Sequence, residues 1–441
     1  MHPPSSSGRR GSGSWSRRRS AARGSSGRAW LNCSIQYPVR RNTILLGVSL
    51  VLLSGVLQLG VAVATITLTL VTGIESILGL GPAIFLAAGA LAALPAGRLM
   101  DRIGRVPVIA GGFGIGAAGC CLIALGCAID NAVLVIAGFI AFGAMNGSVL
   151  LARTAAADMY PEDRRARAIS YVLFGALFGA ALGPLVFRPL FAGKDLELDT
   201  LVVPWLAAAG MALGGLVVAL LIRPDPRTIA LERHAAESPD RPHAPPAPVS
   251  EILRRPGVPS AVIAALASFA VMVGVMNLTG YIVVDHNHEQ ADVFTVISLH
   301  IVGMYALVLV IGALIDKVGR KPSLVTGLAI MAVSTIMLVW AESILWTSVS
   351  LLLLGLGWNV SYVAATAELV SHATPVERGR LVGATDLAAG MLGAGFALLG
   401  GVAYTEWGIA VFAIGATVAV VAPALAILFA RRPAAALEPT G

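Results

Sequence analysis

The chain has 441 residues, 57% of them hydrophobic and only 12% charged, with a mean hydropathy of +0.82. A water-soluble domain of this length needs far more polar surface to cover its core, so that class is excluded. The formal charge of +7 does not point to nucleic acid either: nine arginines and no acidic residue occupy positions 1–42, and the remainder sets 22 basic residues against 24 acidic ones.

Residues 1–42, rich in Ser, Gly and Arg, read as a disordered basic cytoplasmic tail, with an organellar transit peptide as the alternative. Long apolar runs follow, for example over 43–70, 133–151, 258–284 and 324–340. Each approaches or exceeds the roughly 18–20 residues a helix needs to cross about 30 Å of hydrocarbon. Lipid offers no water to backbone amides, and the runs are too long and too uniformly apolar for barrel strands, so they are predicted as helices. Twelve spans are expected near 43–69, 77–98, 107–128, 132–154, 168–191 and 201–222, then 258–284, 293–314, 323–340, 346–370, 381–403 and 408–430. Residues 223–257, proline-rich and charged, read as a cytoplasmic linker between six-helix halves at 43–222 and 258–430, and 431–441 as a second cytoplasmic tail.

With an even number of spans, both ends and the linker share one side. That side collects 29 of the 31 Lys and Arg residues, Arg188 and Lys194 being the exceptions. Basic loops face the cytoplasm, so both termini are expected there. Trp205, Trp340, Trp346 and Trp407 fall at predicted outer ends, as an interfacial aromatic belt would place them. Cys120, Cys121 and Cys127 share one predicted helix without metal-ligand or disulfide-framework spacing, and read as small packing residues.

The halves repeat one another. Gly97-Arg-Leu-Met-Asp101-Arg102-Ile-Gly104-Arg105 lies between spans two and three, and Gly312-Ala-Leu-Ile-Asp316-Lys317-Val-Gly319-Arg320 between spans eight and nine. Pro161-Glu-Asp-Arg164 and Pro375-Val-Glu377-Arg378 follow spans four and ten; the two offsets are 215 and 214 residues. The glycines permit tight turns. Asp101 and Asp316 can accept hydrogen bonds from Arg105 and Arg320, or from the amide end of a neighbouring helix.

In this doubled loop, with twelve spans and a central linker, the sequence over roughly 43–430 resembles the major facilitator superfamily. The resemblance implies an all-α fold of two pseudo-symmetric six-helix halves, a secondary transporter working by alternating access, and loops that latch the cytoplasmic face. It implies a small-molecule substrate, no catalytic residues and a proton or sodium gradient as energy source. It also favours spans one, four, seven and ten as cavity walls. Polar residues there cost free energy unless paired or hydrated, which makes Gln58, Asn146, Asn277, Tyr281, Trp358, Asn359 and Tyr362 the candidate solute contacts. Trp358, Asn359 and Tyr362 suit a planar or ring-containing solute.

Arg153, Glu368 and Asp386 form a second candidate set, a charge network expected to engage Asp101 and Asp316. His300 reads as a packing partner rather than a proton carrier. Gly175, Gly179 and Gly183, followed by Pro184, give span five a smooth ridge and resemble part of the superfamily's antiporter motif, with Phe187 where a further glycine is expected. In span four, Gly143 stands where many proton-coupled members carry arginine. Export of an amphipathic metabolite or drug is the leaning, with import of a vitamin-like or aromatic solute as the alternative. A non-transporting sensor on the same scaffold is the reading from another class. No nucleotide-binding loop, metal cluster or Ser/His/Asp arrangement is visible. A monomer in a bacterial inner membrane is expected, arginine outnumbering lysine 28 to 3 as in a GC-rich genome.

Overall fold

The computed structural model describes residues 14–73, 80–191, 197–237, 246–285, 290–340 and 343–430. The chain divides into two compact units, Met1–Arg41 and Asn42–Gly441. Within the first, residues 14–41 are helical and belong to α1 (Ser14–Thr72), where the sequence reading expects a structureless tail. Its Arg, Ala and Leu residues favour helix, against Gly24 and Gly27. Residues 1–13 and the carboxy-terminal tail 431–441 lie outside the described residues.

The second unit is helical throughout its described residues. The first half continues from α1 through α2 (Leu80–Ile103), α3 (Arg105–Ala128), α4 (Ala132–Val149) with its continuation α5 (Ala152–Asp158), α6 (Arg165–Phe191) and α7 (Leu198–Leu220). The linker holds α8 (Pro226–Glu237) and the short α9 (Val249–Ile252). The second half is α10 (Val258–Asp285), α11 (Gln290–Tyr305) and α12 (Val308–Val318) bent by 42°, α13 (Arg320–Met337), α14 (Ile344–Ser371) and α15 (Arg378–Phe429). Ten helices are individually long and apolar enough to cross a membrane, and the bent α11–α12 pair makes one more. The 52 residues of α15 would extend about 78 Å if straight, far beyond a hydrocarbon core of about 30 Å. Gly408, at φ 82°, breaks it into the two spans expected from the sequence. With α15 counted as two, the described helices thus offer twelve candidate spans by length and composition.

The loop glycines are used as the repeat predicts. Gly104 (φ 108°) turns the chain from α2 into α3, and Gly319 (φ 100°) does the same between α12 and α13. Side chains rarely adopt that backbone region. The halves meet through α2 against α15 and α6 against α12. Gly97 and Gly379 lie backbone to backbone at the first contact, where a Cβ on either would collide with the other's carbonyl oxygen.

Outward faces are apolar, with Leu185, Leu399 and Phe429 about three-quarters exposed, as lipid-facing side chains are. Trp340, Trp346 and Trp407 are also exposed at helix ends. Trp205 corrects the belt expectation: it is fully buried, edge-on to Phe139 and Phe142 at 5.8 and 5.7 Å. An apolar ring between close-packed helices gains more from that cluster than from the interface. Cys120 and Cys127 are buried and Cys121 exposed, all three as free thiols.

Candidate functional site

Two carboxylates close one face of the bundle, here termed the latch face. Asp101, near the end of α2, accepts the backbone N–H groups of Gly379 (2.9 Å) and Arg380 (2.8 Å) in the first turn of α15. Asp316, near the end of α12, accepts those of Ala166 (3.2 Å) and Arg167 (3.1 Å) in the first turn of α6. Each acid caps a helix of the opposite half, where orphan amides and the helix dipole favour a negative charge. The sequence reading left two partners open for these aspartates. Asp101 takes both, since Arg105 also reaches it at 3.1 Å. Asp316 takes the helix terminus, while Arg320 turns to Glu368 (3.3 Å) and Glu162 (3.2 Å).

Around Asp101 the charges run as a buried chain between halves. Arg105 donates to Asp158 at 2.7 Å, and Asp158 accepts from Arg378 at 2.8 Å. The side chains of Asp101, Arg105 and Asp158 are wholly inaccessible, and Arg105 also donates to the carbonyls of Met100 and Pro375. These two acids and two buried bases balance, which makes their burial tolerable, and the part-exposed Arg380 also meets Asp101 at 3.4 Å. Asp158 was missed from sequence because it looks like one more polar residue at a helix end. Arg378 carried a signal, as the last residue of the repeated Pro-x-x-Arg segment. Its counterpart Arg164 is exposed and meets only Asp163, at 3.7 Å, while the next residue, Arg165, donates to Ser371. Glu368 accepts from His372 at 3.0 Å as well as from Arg320, so it belongs to the Asp316 side. Arg102 and Lys317 are exposed, as charges that set topology are.

The linker joins this face too. Glu377 accepts from Arg255 at 2.7 and 3.0 Å and from the backbone N–H groups of Ala247 and Thr374. Burial opposes its ionisation, but the Arg255 hydrogen bonds and the two amides outweigh that and hold the carboxyl down to about 2. Reciprocally, the hydrogen bond to Glu377 raises Arg255 above the usual guanidinium range.

Deeper in the membrane a cavity of about 360 Å³ lies between α2, α4, α10, α14 and α15. It runs from Asp386 and Tyr362 towards Ala83, Asn277 and Leu398. Most of its wall is Ala, Gly, Leu, Phe269 and Val273; Asn146, Asn277, Tyr362 and Asp386 supply the polar groups. Gly143 and Gly147 pack α4 onto α2, with Gly143 against the Phe85 carbonyl and Gly147 against that of Gly89, and so bring Asn146 to the wall.

Arg153 lies at the floor. The α4–α5 break frees the Leu150 carbonyl, which Arg153 takes at 2.9 Å. Its Nη2 contacts both oxygens of Asp386, at 2.6 and 2.8 Å, and its guanidinium sits 4.7 Å over the Tyr362 ring. Tyr362 stacks on Trp358 with centroids 4.5 Å apart, and Tyr305 stands edge-on behind.

This arrangement corrects the expected network. Arg153 pairs with Asp386 across the halves, not with Asp101 or Asp316, because it lies too deep in the bundle to reach the loops. Of the expected solute contacts, Asn146, Asn277 and Tyr362 line the cavity, and Trp358 backs Tyr362 from a buried position. Asn277 also donates to the Val273 carbonyl in its own helix. Asn359 does not line the cavity: its amide donates to the Met304 carbonyl, left without a helical partner at the α11–α12 bend. Gln58 is half-buried in α1 and is not among the lining residues. Tyr281 lies in α10, but its side chain is outside the described residues. His300 is buried and bonded to the Leu351 carbonyl at 2.9 Å, as a packing partner is.

A family model for the Major Facilitator Superfamily matches residues 42–295 and 280–441. The MFS-type transporter YdeG of Bacillus subtilis is 30% identical over 369 residues, covering 82% of this chain and 85% of its own. The riboflavin transporter RfnT of Brucella anthropi is 30% identical over 297 residues, covering 67% and 72%. Among solved structures, the human organic anion transporter MFSD10 superposes with a TM-score of 0.71 at 16% identity, over 88% of this chain and 99% of its own.

Proposed function

The chain belongs to the Major Facilitator Superfamily, and on that premise we propose that it carries a planar, amphipathic organic solute, bound over the Arg153–Asp386–Tyr362 floor. Membership makes it an integral membrane transporter rather than an enzyme. The observation that carries the solute reading is the cavity itself. A volume of about 360 Å³ suits a small molecule. Its walls are apolar, and its floor offers an aromatic face beside a buried ion pair. A flat ring system can stack on Tyr362 while its polar edge meets Asp386 and Asn146. That a relative over two thirds of the chain is named a riboflavin transporter agrees with a ring-bearing solute.

In this reading the latch face is cytoplasmic, because the Lys and Arg residues concentrate there, and a bacterial inner membrane houses the chain as a functional monomer. Alternating access then requires Asp101 and Asp316 to release their helix termini while the halves rock about the cavity. The glycine ridge of span five is engaged in packing: Gly175 faces the Gly47 carbonyl and Gly179 that of Val51, both in α1. Export therefore gains nothing from that ridge, and the proposal covers movement in either direction.

The test is a thermal-shift screen of the purified protein against flavins, aromatic acids, aliphatic acids and lipophilic cations. A ligand at 100 times its Kd stabilises by about 2.7 kcal/mol. Ring-bearing solutes should stabilise the protein, and Tyr362→Ala should lose that response while remaining folded. Hits confined to aliphatic solutes would sink the reading.

A further inference from the structure

Span one was expected in the cavity wall, yet no described side chain of α1 lines it. Most of the wall comes from α2 and α15, and α4, α10 and Tyr362 of α14 complete it. The α2–α15 wall continues the seam that joins the halves. From the latch face inward, Gly97 meets Gly379, and the Ala93 carbonyl stands 2.3 Å from where a Cβ on Gly383 would lie. Next, a Cβ on Gly390 would lie 2.6 Å from that of Ala90. Steps of three, four and seven residues keep these contacts on one face of each helix. Beyond Gly390 they stop: Gly393 turns to Phe269 and Val273 of α10, and Gly395 and Gly401 meet nothing within 4 Å. The seam residues stay small all the same, with Ala83 and Ala87 of α2 and Ala394 and Ala397 of α15 lining the cavity. Helix packing does not call for small side chains where no helix closes on them; here they leave room. At the floor, Tyr362 is only 4% exposed, and its hydroxyl has no hydrogen-bond partner among the described residues. A buried hydroxyl left so is costly, and the edge of a solute would supply the partner.

We propose that the α2–α15 wall is the size gauge of the cavity, with Ala87, Ala90, Gly390 and Ala394 as its specificity-determining residues. This rests on the solute reading given above and adds the class: two or three flat fused rings with a hydrogen-bonding edge. Side chains no larger than a methyl group let ring carbons come within about 3.5–4.0 Å of the wall along its length. A larger side chain at these positions stands where the ring system would lie. A one-ring solute covers less of the wall, so it gains less from the wall and loses less when the wall is thickened. The edge of the solute reaches the Tyr362 hydroxyl and Asn146.

The gauge is tested on the full chain with Ala87→Leu and with Ala394→Leu, and with Ala118→Leu on an exposed face of α3 as control. Thermal shifts are read with lumichrome, a flat three-ring compound, and with one-ring benzamide. Each cavity leucine should weaken lumichrome about tenfold or more and leave benzamide nearly unchanged, while the control matches wild type. Lumichrome binding that is equal in wild type and variants overturns the gauge. So does an equal loss of both compounds, which would mean that the seam serves closure alone. A second measurement needs no bound solute. In a cysteine-free background, the thiol of Ala394→Cys should react with N-ethylmaleimide and with the flat, four-ring N-pyrenylmaleimide. Adding Ala87→Leu should slow the pyrene reagent about tenfold or more relative to the small one. A thiol closed to both reagents, or slowed equally towards both, also overturns the gauge. If neither compound stabilises the wild type while the thiol rates behave as expected, the gauge stands and the solute reading of the cavity fails.

Discussion

Replacing Asp158 by asparagine isolates the buried chain between the halves. Asp158 is the carboxylate shared by Arg105 (2.7 Å) and Arg378 (2.8 Å), with its side chain wholly inaccessible. Arg105 keeps Asp101 and two carbonyls after the change, but Arg378 keeps only the carbonyls of Val370 and Ala373. The site is left with one uncompensated positive charge. Breaking a buried pair from one side costs about 3–5 kcal/mol. That cost falls on the state in which the halves meet, since separation exposes Arg378 to water. At about 1.4 kcal/mol per decade, the equilibrium between joined and parted latch faces should move by about two to three and a half orders of magnitude. Asparagine retains one acceptor, which favours the lower end. Distances between spin labels on the two halves read this directly, with Arg164→Ala as the control because its pair with Asp163 is exposed. Asp158→Asn with the wild-type distance distribution would refute the claim that this chain of charges holds the latch face together.

Other consequences are simpler to check. Alanine at Gly319 should cost about 1–2 kcal/mol for its positive φ, read by thermal unfolding. Gly104→Ala should cost more, because its Cβ would also stand 2.7 Å from the Asp225 carboxylate that caps α3, whereas at Gly319 it would meet only Pro322, at an ordinary 3.8 Å. Glu377, held at about 2 against an ordinary 4.5, contributes stability that is fully present above 4.5 and lost as pH falls towards 2. The difference in melting temperature between wild type and Glu377→Gln should therefore shrink over that window. A constant difference would mean that the clasp to Arg255 is not ionic. Asn359→Ala should lower stability by about 1 kcal/mol through loss of its bond to Met304, with no change in solute affinity. Tyr362→Ala should lower solute affinity as well as stability, so equal effects of the two changes on affinity would overturn the division of roles within α14.

Local features carried most of the architecture. Apolar runs of bilayer length, separated by basic loops, determined the spans and the division into halves, because an unsatisfied backbone in lipid leaves helix as the open choice. The repeated loop located its own working parts: glycines where φ must be positive, and aspartates one turn from a helix end. Aromatic character in α14 also pointed towards the cavity, although the pattern could not separate Tyr362, on its wall, from Asn359, turned towards a broken helix. What the tertiary structure decided was partnership. Arg153 and Asp386 are 233 residues apart, and nothing local distinguishes Arg153 from a charge that merely fixes topology. The same holds for Asp158, which is ordinary at the end of its helix and becomes the bridge between halves when Arg378 meets it. Trp205 likewise sat at a helix end that suited the interface until Phe139 and Phe142 enclosed it. Hydropathy and turn chemistry act within a few residues of themselves. A buried charge acts on whatever the fold brings within about 3 Å, and that depends on how two whole halves come together.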